Sequence, residues 1–195
     1  MMIFLIVLVI VAIVAIVIFN TLVQYKNEYQ NAFAQIDVQL HRRHDLIPNL
    51  VATAQAYLKH EQATLTAVTE ARNQAVSALK ALKGNGINPA ALAQLVSSEG
   101  ALTSALGALQ VSIEDYPELK ADSTMASLSE DLTSTENRIA FARQAYNDSV
   151  MQFNAYKQSF PQVVVANMTG HVKDAPLLEL DDPQTQRQAP KVSFN

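Results

Sequence analysis

Several charged and amide side chains fall where helical spacing predicts the inner faces of helices. They are Arg43, Glu61, Glu136, Arg143 and Asn147. Two carboxylates beside one substrate can perform acid–base hydrolysis, for which Glu61 and Glu136 would be the candidates. Buried ionic contacts between helices can instead fix helix register. No nucleophile with an activating histidine and no phosphate-binding loop accompanies these residues. We therefore interpret the five residues as interhelical polar contacts, and the sequence does not say which acid pairs with which base.

A second group with chemical potential is Asp37, His41 and His44, which follow one another at steps of four and three residues. One helical face could present two imidazoles and a carboxylate to a metal ion. No fourth ligand is apparent, and a solvated or headgroup-facing polar patch is the competing interpretation. The chain has no cysteine, which excludes disulfides and thiolate metal sites. We predict no metal and no cofactor.

The segment 36–61 must position the first of these groups. Its apolar residues recur at helical spacing, and Arg43 and Glu61 lie on the same stripe. An unpaired arginine facing a core would be strongly destabilising, so we expect Arg43 to have a carboxylate partner. The pattern stays in phase on both sides of Pro48, which predicts a kinked but continuous helix. The helical period then continues from Leu50 to Leu82.

The remaining elements are also helical. Asn88 and Pro89 are typical of a helix start, and the helix is predicted to run to Ile113. A turn follows at Pro117, and the last long helix is predicted from Asp122 or Ser123 to about Phe160. Glycine is scarce and tryptophan is missing, a composition typical of long helices. The sequence thus predicts an all-α protein in which residues 20–168 form an antiparallel three- to four-helix bundle.

Residues 1–19 contain no charged or polar side chain. About 18 such residues suffice to cross the hydrocarbon layer of a membrane. A cleaved signal peptide fits less well, because the stretch is long, no basic residue precedes it, and residues 19–22 are not a small-residue cleavage site. We predict a retained single-pass transmembrane anchor. The basic residues Lys26, Arg42 and Arg43 follow the span, which places the C-terminal domain in the cytoplasm by the positive-inside rule.

Residues 169–195 form a different kind of segment, containing three prolines and predicted to be an extended tail. Its last apolar residues could dock in a partner's groove or at a sheet edge, so Pro190, Val192 and Phe194 are the predicted binding element. The net charge of the chain is −4, which argues against a nucleic-acid partner.

Several motifs resemble those of the LemA family. They are IDVQLHRRHDLIPNLV at 36–51 with Tyr57 and Glu61, EDYPELKA at 114–121, TENRIAFARQAYN at 135–147, the YK and FP pairs within 156–161, and APKVSF at 189–194. The resemblance implies an antiparallel helical bundle on one membrane span, with no enzymatic activity generally ascribed. Some members occur beside genes for membrane metalloproteases. His41 and His44 depart from the family, which more often has lysine or arginine and tyrosine there.

Two functions are compatible with these features. The first is a non-enzymatic scaffold that self-associates and presents interaction surfaces to other proteins at the bacterial inner membrane. The second is an adaptor that delivers substrates or signals to a membrane protease or sensor through its C-terminal tail. The expected surroundings are the lipid bilayer, other copies of the chain and a membrane protein partner.

Overall fold

The computed structural model describes residues 1–178, which are all-α with no strand. The helices are α1 (Met2–Gln55), α2 (Gln62–Asn85), α3 (Pro89–Glu114), α4 (Pro117–Lys120), α5 (Ser123–Gln158) and α6 (Gln162–Met168). The predicted fold class is confirmed: an apolar N-terminal helix leads into a helical bundle. Residues 171–178 of the tail are described and contain no helix.

Helix α1 is continuous through Pro48, as the sequence predicts. A proline inside a helix cannot donate to the carbonyl four residues earlier, which here belongs to His44. The Arg72 side chain of α2 replaces that donor, because its Nε lies 3.1 Å from the His44 carbonyl oxygen. The freed backbone acceptor is thereby satisfied by a neighbouring helix.

The structure differs from the sequence prediction just after Gln55, where α1 ends and the chain turns before α2. The amides of Tyr57 and Leu58 both donate to the Ala54 carbonyl, at 3.0 Å and 2.9 Å, and so close the turn. Leu58 remains buried in the core. The apolar spacing stays in phase across the turn, and no proline or glycine lies in it, so periodicity alone predicts an unbroken helix.

The later helix starts follow local capping rules. The Asn88 side chain accepts from the amide of Ala91 at 2.9 Å, with Pro89 in the first turn of α3. Asp122 caps α5 by accepting from the amide of Met125 at 2.9 Å. The turn at Pro117 contains the short helix α4. These caps agree with the starts expected from the sequence.

Two antiparallel helix pairs make the bundle. Helix α1 packs along α5, α2 packs along α3, and a smaller contact between α1 and α2 joins the pairs. Aromatic contacts set the α1–α5 alignment: Tyr25 meets Tyr156, and Phe33 meets Tyr146. Helices α3 and α5 do not pack closely against each other, and a groove lies between them.

A polar layer divides the core of the bundle. One apolar cluster, near the apolar start of α1, includes Leu22, Phe33 and Tyr146. The other, at the far end, includes Ile47 and Leu109. Between them lie the buried polar residues Arg43, His44, Glu99 and Thr135. A polar layer at one height disfavours sliding of the helices, because a shifted register would place unpaired charges in apolar surroundings.

Candidate functional site

The groove between α3 and α5 has a volume of about 460 Å³. Helix α1 forms its floor with Ile36, Leu40 and Arg43. Both walls carry apolar and polar side chains, and Leu178 of the tail lies at its lining. The polar lining residues are Arg43, Glu99, Thr103, Ser104, Glu136 and Arg143. An apolar surface with a few charges of both signs is typical of a binding groove.

Arg43 has the carboxylate partner that its position requires, and that partner is Glu99. The Arg43 Nη1 and Glu99 Oε2 atoms are 3.4 Å apart, and the two side chains are only 7% and 6% exposed. Arg43 also donates to the Thr103 hydroxyl at 2.8 Å. His44 Nε2 lies 2.7 Å from the other carboxylate oxygen of Glu99. One carboxylate thus holds two neighbouring α1 side chains against α3.

Sequence reasoning did not single out Glu99, although a signal was present. Glu99 lies four residues after Leu95 and three before Leu102, so it falls on the buried stripe of α3. Arg43 was found by the same criterion on α1. Applying the criterion to every helix would have identified both charged partners.

The other predicted polar residues take separate positions. Glu61 stands at the N-cap position of α2, where its side chain makes no capping hydrogen bond, and it is not part of the groove lining. Glu136 and Arg143 line the groove, the first exposed and the second half-buried. Asn147 binds the tail rather than another helix. The structure therefore brings Arg43, Glu136 and Arg143 into one groove, adds Glu99, and leaves Glu61 and Asn147 outside it.

Two asparagines on α5 fasten the start of the tail. Asn147 donates to the Leu178 carbonyl at 3.2 Å and accepts from the Leu178 amide at 2.9 Å. Asn154 makes the same pair of bonds with Ala175, both at 2.9 Å. We call these four bonds the asparagine clamp. They hold residues 175–178 along α5 by their backbone, whatever the side chains.

Neighbouring groups reinforce the asparagine clamp. The Tyr146 hydroxyl donates to the Pro176 carbonyl at 2.8 Å. Burial raises the pKa of the Tyr146 phenol well above its ordinary value, so it remains a donor. Lys157 forms an ion pair with Asp174. The hydrogen bond from Lys157 lowers the pKa of the Asp174 carboxyl.

The residues weighed as metal ligands are separated by their directions. His44 points into the core toward Glu99. Asp37 accepts from Lys83 at 2.8 Å, and His41 lies 3.5 Å from Asp37 on the exposed side. Within residues 1–178, no group of three histidine or carboxylate side chains is arranged to hold a metal ion. The tail element at Pro190, Val192 and Phe194 lies outside the described residues.

A family model for the LemA family matches residues 32–194, which is most of the chain. The chain belongs to the LemA family. This membership confirms the resemblance seen in the sequence motifs.

Two relatives are similar in sequence to this chain. Magnetosome protein MamQ of Magnetospirillum gryphiswaldense is 25% identical over 167 residues, covering 78% of this chain and 61% of that protein. Protein LemA of Metamycoplasma hominis is 26% identical over 141 residues, covering 72% of this chain and 60% of that protein. The chain thus spans about three-fifths of the length of these relatives.

The membrane assignment follows from α1. Among the described residues, α1 is the one helix whose length and composition suit a membrane crossing. The apolar side chains of its first turns are exposed, as a lipid-facing surface would be. Family membership and this helix together fit a membrane-associated protein. Neither of the two relatives described above is named for an enzymatic activity.

Proposed function

We propose that this LemA-family protein is a non-enzymatic scaffold that self-associates at the bacterial inner membrane, with its bundle in the cytoplasm. The observation that carries the proposal is that one unbroken helix supplies both the apolar segment and the floor of the groove. Arg43 follows Phe19 by 24 residues along α1. At about 1.5 Å per residue, the groove is held ~36 Å above the apolar segment.

The chemistry of the groove supports a helical occupant from a second copy. Its floor is apolar at Ile36 and Leu40 and carries the paired Arg43. Its rim carries a carboxylate at Glu136 and a guanidinium at Arg143. A second copy can offer exposed apolar side chains to the groove, such as Val111 of α3 and Met151 of α5. The wall at Gly100 leaves room for close approach, since a Cβ built there would meet no atom within 4 Å. Because helices that leave one bilayer side by side are roughly parallel, a laterally open groove faces neighbouring copies.

Site-specific crosslinking tests the self-association. The chain lacks cysteine, so each introduced cysteine is a unique attachment point. Ser104→Cys in the groove would be coupled to a photoreactive group in native membranes, with Ser77→Cys on the exposed face of α2 as the matched control. We expect S104C, but not S77C, to give a product of twice the chain mass. If S104C gave no crosslinked product at any expression level, self-association through the groove would be refuted.

A second candidate is the adaptor role, which the position of Leu178 favours. The asparagine clamp places Leu178, the last residue that the structure describes, at the groove lining. Deleting residues 190–195 separates the two functions. An adaptor would lose a co-purified membrane protein, such as a protease, whereas the scaffold would still give the dimeric S104C product. If the deletion variant kept both the co-purified membrane protein and the dimeric S104C product, the adaptor role would be contradicted.

A further inference from the structure

Helix α6 and the residues around it lie beside the end of the apolar segment. The rings of Phe19 and His171 are in edge-to-face contact, with centroids 6.2 Å apart. Ile18 and Leu22 are buried, and they share one apolar cluster with Ala166 of α6. Most of the apolar segment before Ile18 is exposed. The bundle therefore begins at the last turn of the apolar segment, and α6 is the element that covers this turn.

The height of this contact can be worked out from helix geometry. Residues 1–19 span about 28 Å at 1.5 Å per residue, close to the ~30 Å thickness of the hydrocarbon layer. Leu22 is three residues further, so it lies about 5 Å beyond that layer. The headgroup region adds roughly 5–8 Å on each side. Because α6 packs at the height of Ile18 and Leu22, it lies within the headgroup region.

The outer surface at this height is apolar. Phe160, Val164, Met168 and Val172 are 84%, 49%, 83% and 62% exposed. Val164 and Met168 are one turn apart on α6, and Phe160 and Val172 flank the two ends of that helix. Polar groups suited to headgroups adjoin them, since Lys26, His171 and Lys173 line a common cavity. The carboxylate in that lining, Asp174, is paired with Lys157. Tyr25 and Tyr156 pack edge to face one turn further from the bilayer. Apolar tips at the acyl boundary, with basic residues and tyrosines just outside it, are typical of a membrane interface.

We propose that residues 160–172 form an interfacial membrane-binding element, with Phe160, Val164, Met168 and Val172 inserted at the boundary between headgroups and acyl chains. The occupant of this surface is the lipid bilayer. Continuity carries the choice, because the surface extends the lipid-facing side of α1 at the same height. The bundle therefore rests on the membrane through two elements that are distant in sequence, and not through α1 alone.

Tryptophan fluorescence tests the proposal in the full chain, which contains no tryptophan. Three single substitutions serve as probes: Phe160→Trp, Met168→Trp and the control Phe141→Trp. Phe141 is also highly exposed, at 74%, but lies 19 residues before Phe160 along the α5 direction, about 28 Å further from the bilayer. Each variant is reconstituted into phosphatidylcholine–phosphatidylglycerol vesicles, with or without bromine on the acyl chains.

We expect blue-shifted emission and several-fold stronger quenching by brominated lipids for F160W and M168W than for F141W. Equal quenching of all three variants would overturn the proposal. A blue shift of F160W and M168W without quenching would also overturn it, because the surface would then be covered by protein, such as a second copy. Circular dichroism of each variant verifies that the helix content is unchanged.

Discussion

Replacing Glu99 with leucine is expected to destabilise the bundle strongly. The substitution leaves the Arg43 guanidinium in the core without its carboxylate and removes the acceptor for His44 Nε2. Removing one partner of a buried ion pair costs about 3–5 kcal/mol. The Arg43–Glu99 distance of 3.4 Å is long, whereas the His44–Glu99 distance of 2.7 Å is short. The loss is therefore shared between both contacts of Glu99.

The double variant Arg43→Met/Glu99→Leu distinguishes the cost of an unpaired buried charge from the cost of any substitution at position 99. Both charges are then replaced by apolar groups, which is often neutral or stabilising. His44 still lacks its acceptor, which costs about 1–3 kcal/mol. We expect the double variant to be less stable than the parent chain by only that amount, and hence more stable than E99L.

Urea unfolding of the full chain in a mild detergent, followed by circular dichroism, measures these differences. Glu136→Leu is the matched control, because Glu136 is an exposed carboxylate in the same groove. Its effect should stay within about 0.5 kcal/mol. The reasoning is refuted if E99L costs less than about 1 kcal/mol. It is equally refuted if the double variant is no more stable than E99L.

Three further predictions concern bonds outside the groove. Arg72→Leu should lower the free energy of unfolding in urea by about 1–3 kcal/mol, because it leaves the α1 carbonyl that Pro48 frees without a donor. The cost should be clearly smaller in a Pro48→Ala background, which restores the helical donor. Equal costs in both backgrounds would contradict this. Asn147→Ala should speed hydrogen exchange of the tail amide it holds, measured by mass spectrometry, and unchanged protection would show that the side chain is not the clamp. The hydrogen bond from the Met125 amide lowers the pKa of the Asp122 carboxyl, so the cap stabilises α5 above the ordinary carboxyl pKa of about 4, and this stabilisation is lost as the pH falls through the native pKa. Asp122→Asn should therefore make the melting temperature less dependent on pH in this acid range. An unchanged dependence would exclude the cap as its source.

Local rules explain how much of this fold the sequence predicts. The apolar segment, the caps at Asn88 and Asp122 and the burial of Arg43 depend on neighbours within one or two turns, so pattern alone identifies them. The turn before α2 depends on tertiary packing and was missed, because Leu58 keeps the apolar period through it. Pairing is also tertiary: Arg43 could have met any inward carboxylate, and only the alignment of α1 with α3 selects Glu99.

The site was predictable to a lesser degree. Spacing singled out Arg143 and Asn147 on α5 as inward-facing polar residues, but it could not show that Asn147 and Asn154 bind tail backbone. A backbone partner has no side-chain signature. His44 illustrates the converse problem, since its spacing from His41 resembles a ligand pair while the bundle turns it inward.

The asparagine clamp works because two different repeats coincide in length. Asn147 and Asn154 are seven residues apart on a helix, about 10.5 Å, and Ala175 and Leu178 are three residues apart in extended chain, about 10 Å. The spacing of the two asparagines on α5 thus matches the spacing of two peptide units in an extended segment, and the side chains of that segment take no part in the match. Proline is tolerated at position 176, where only the carbonyl forms a hydrogen bond. At position 175 or 178 a proline would remove the backbone N–H that donates to an asparagine.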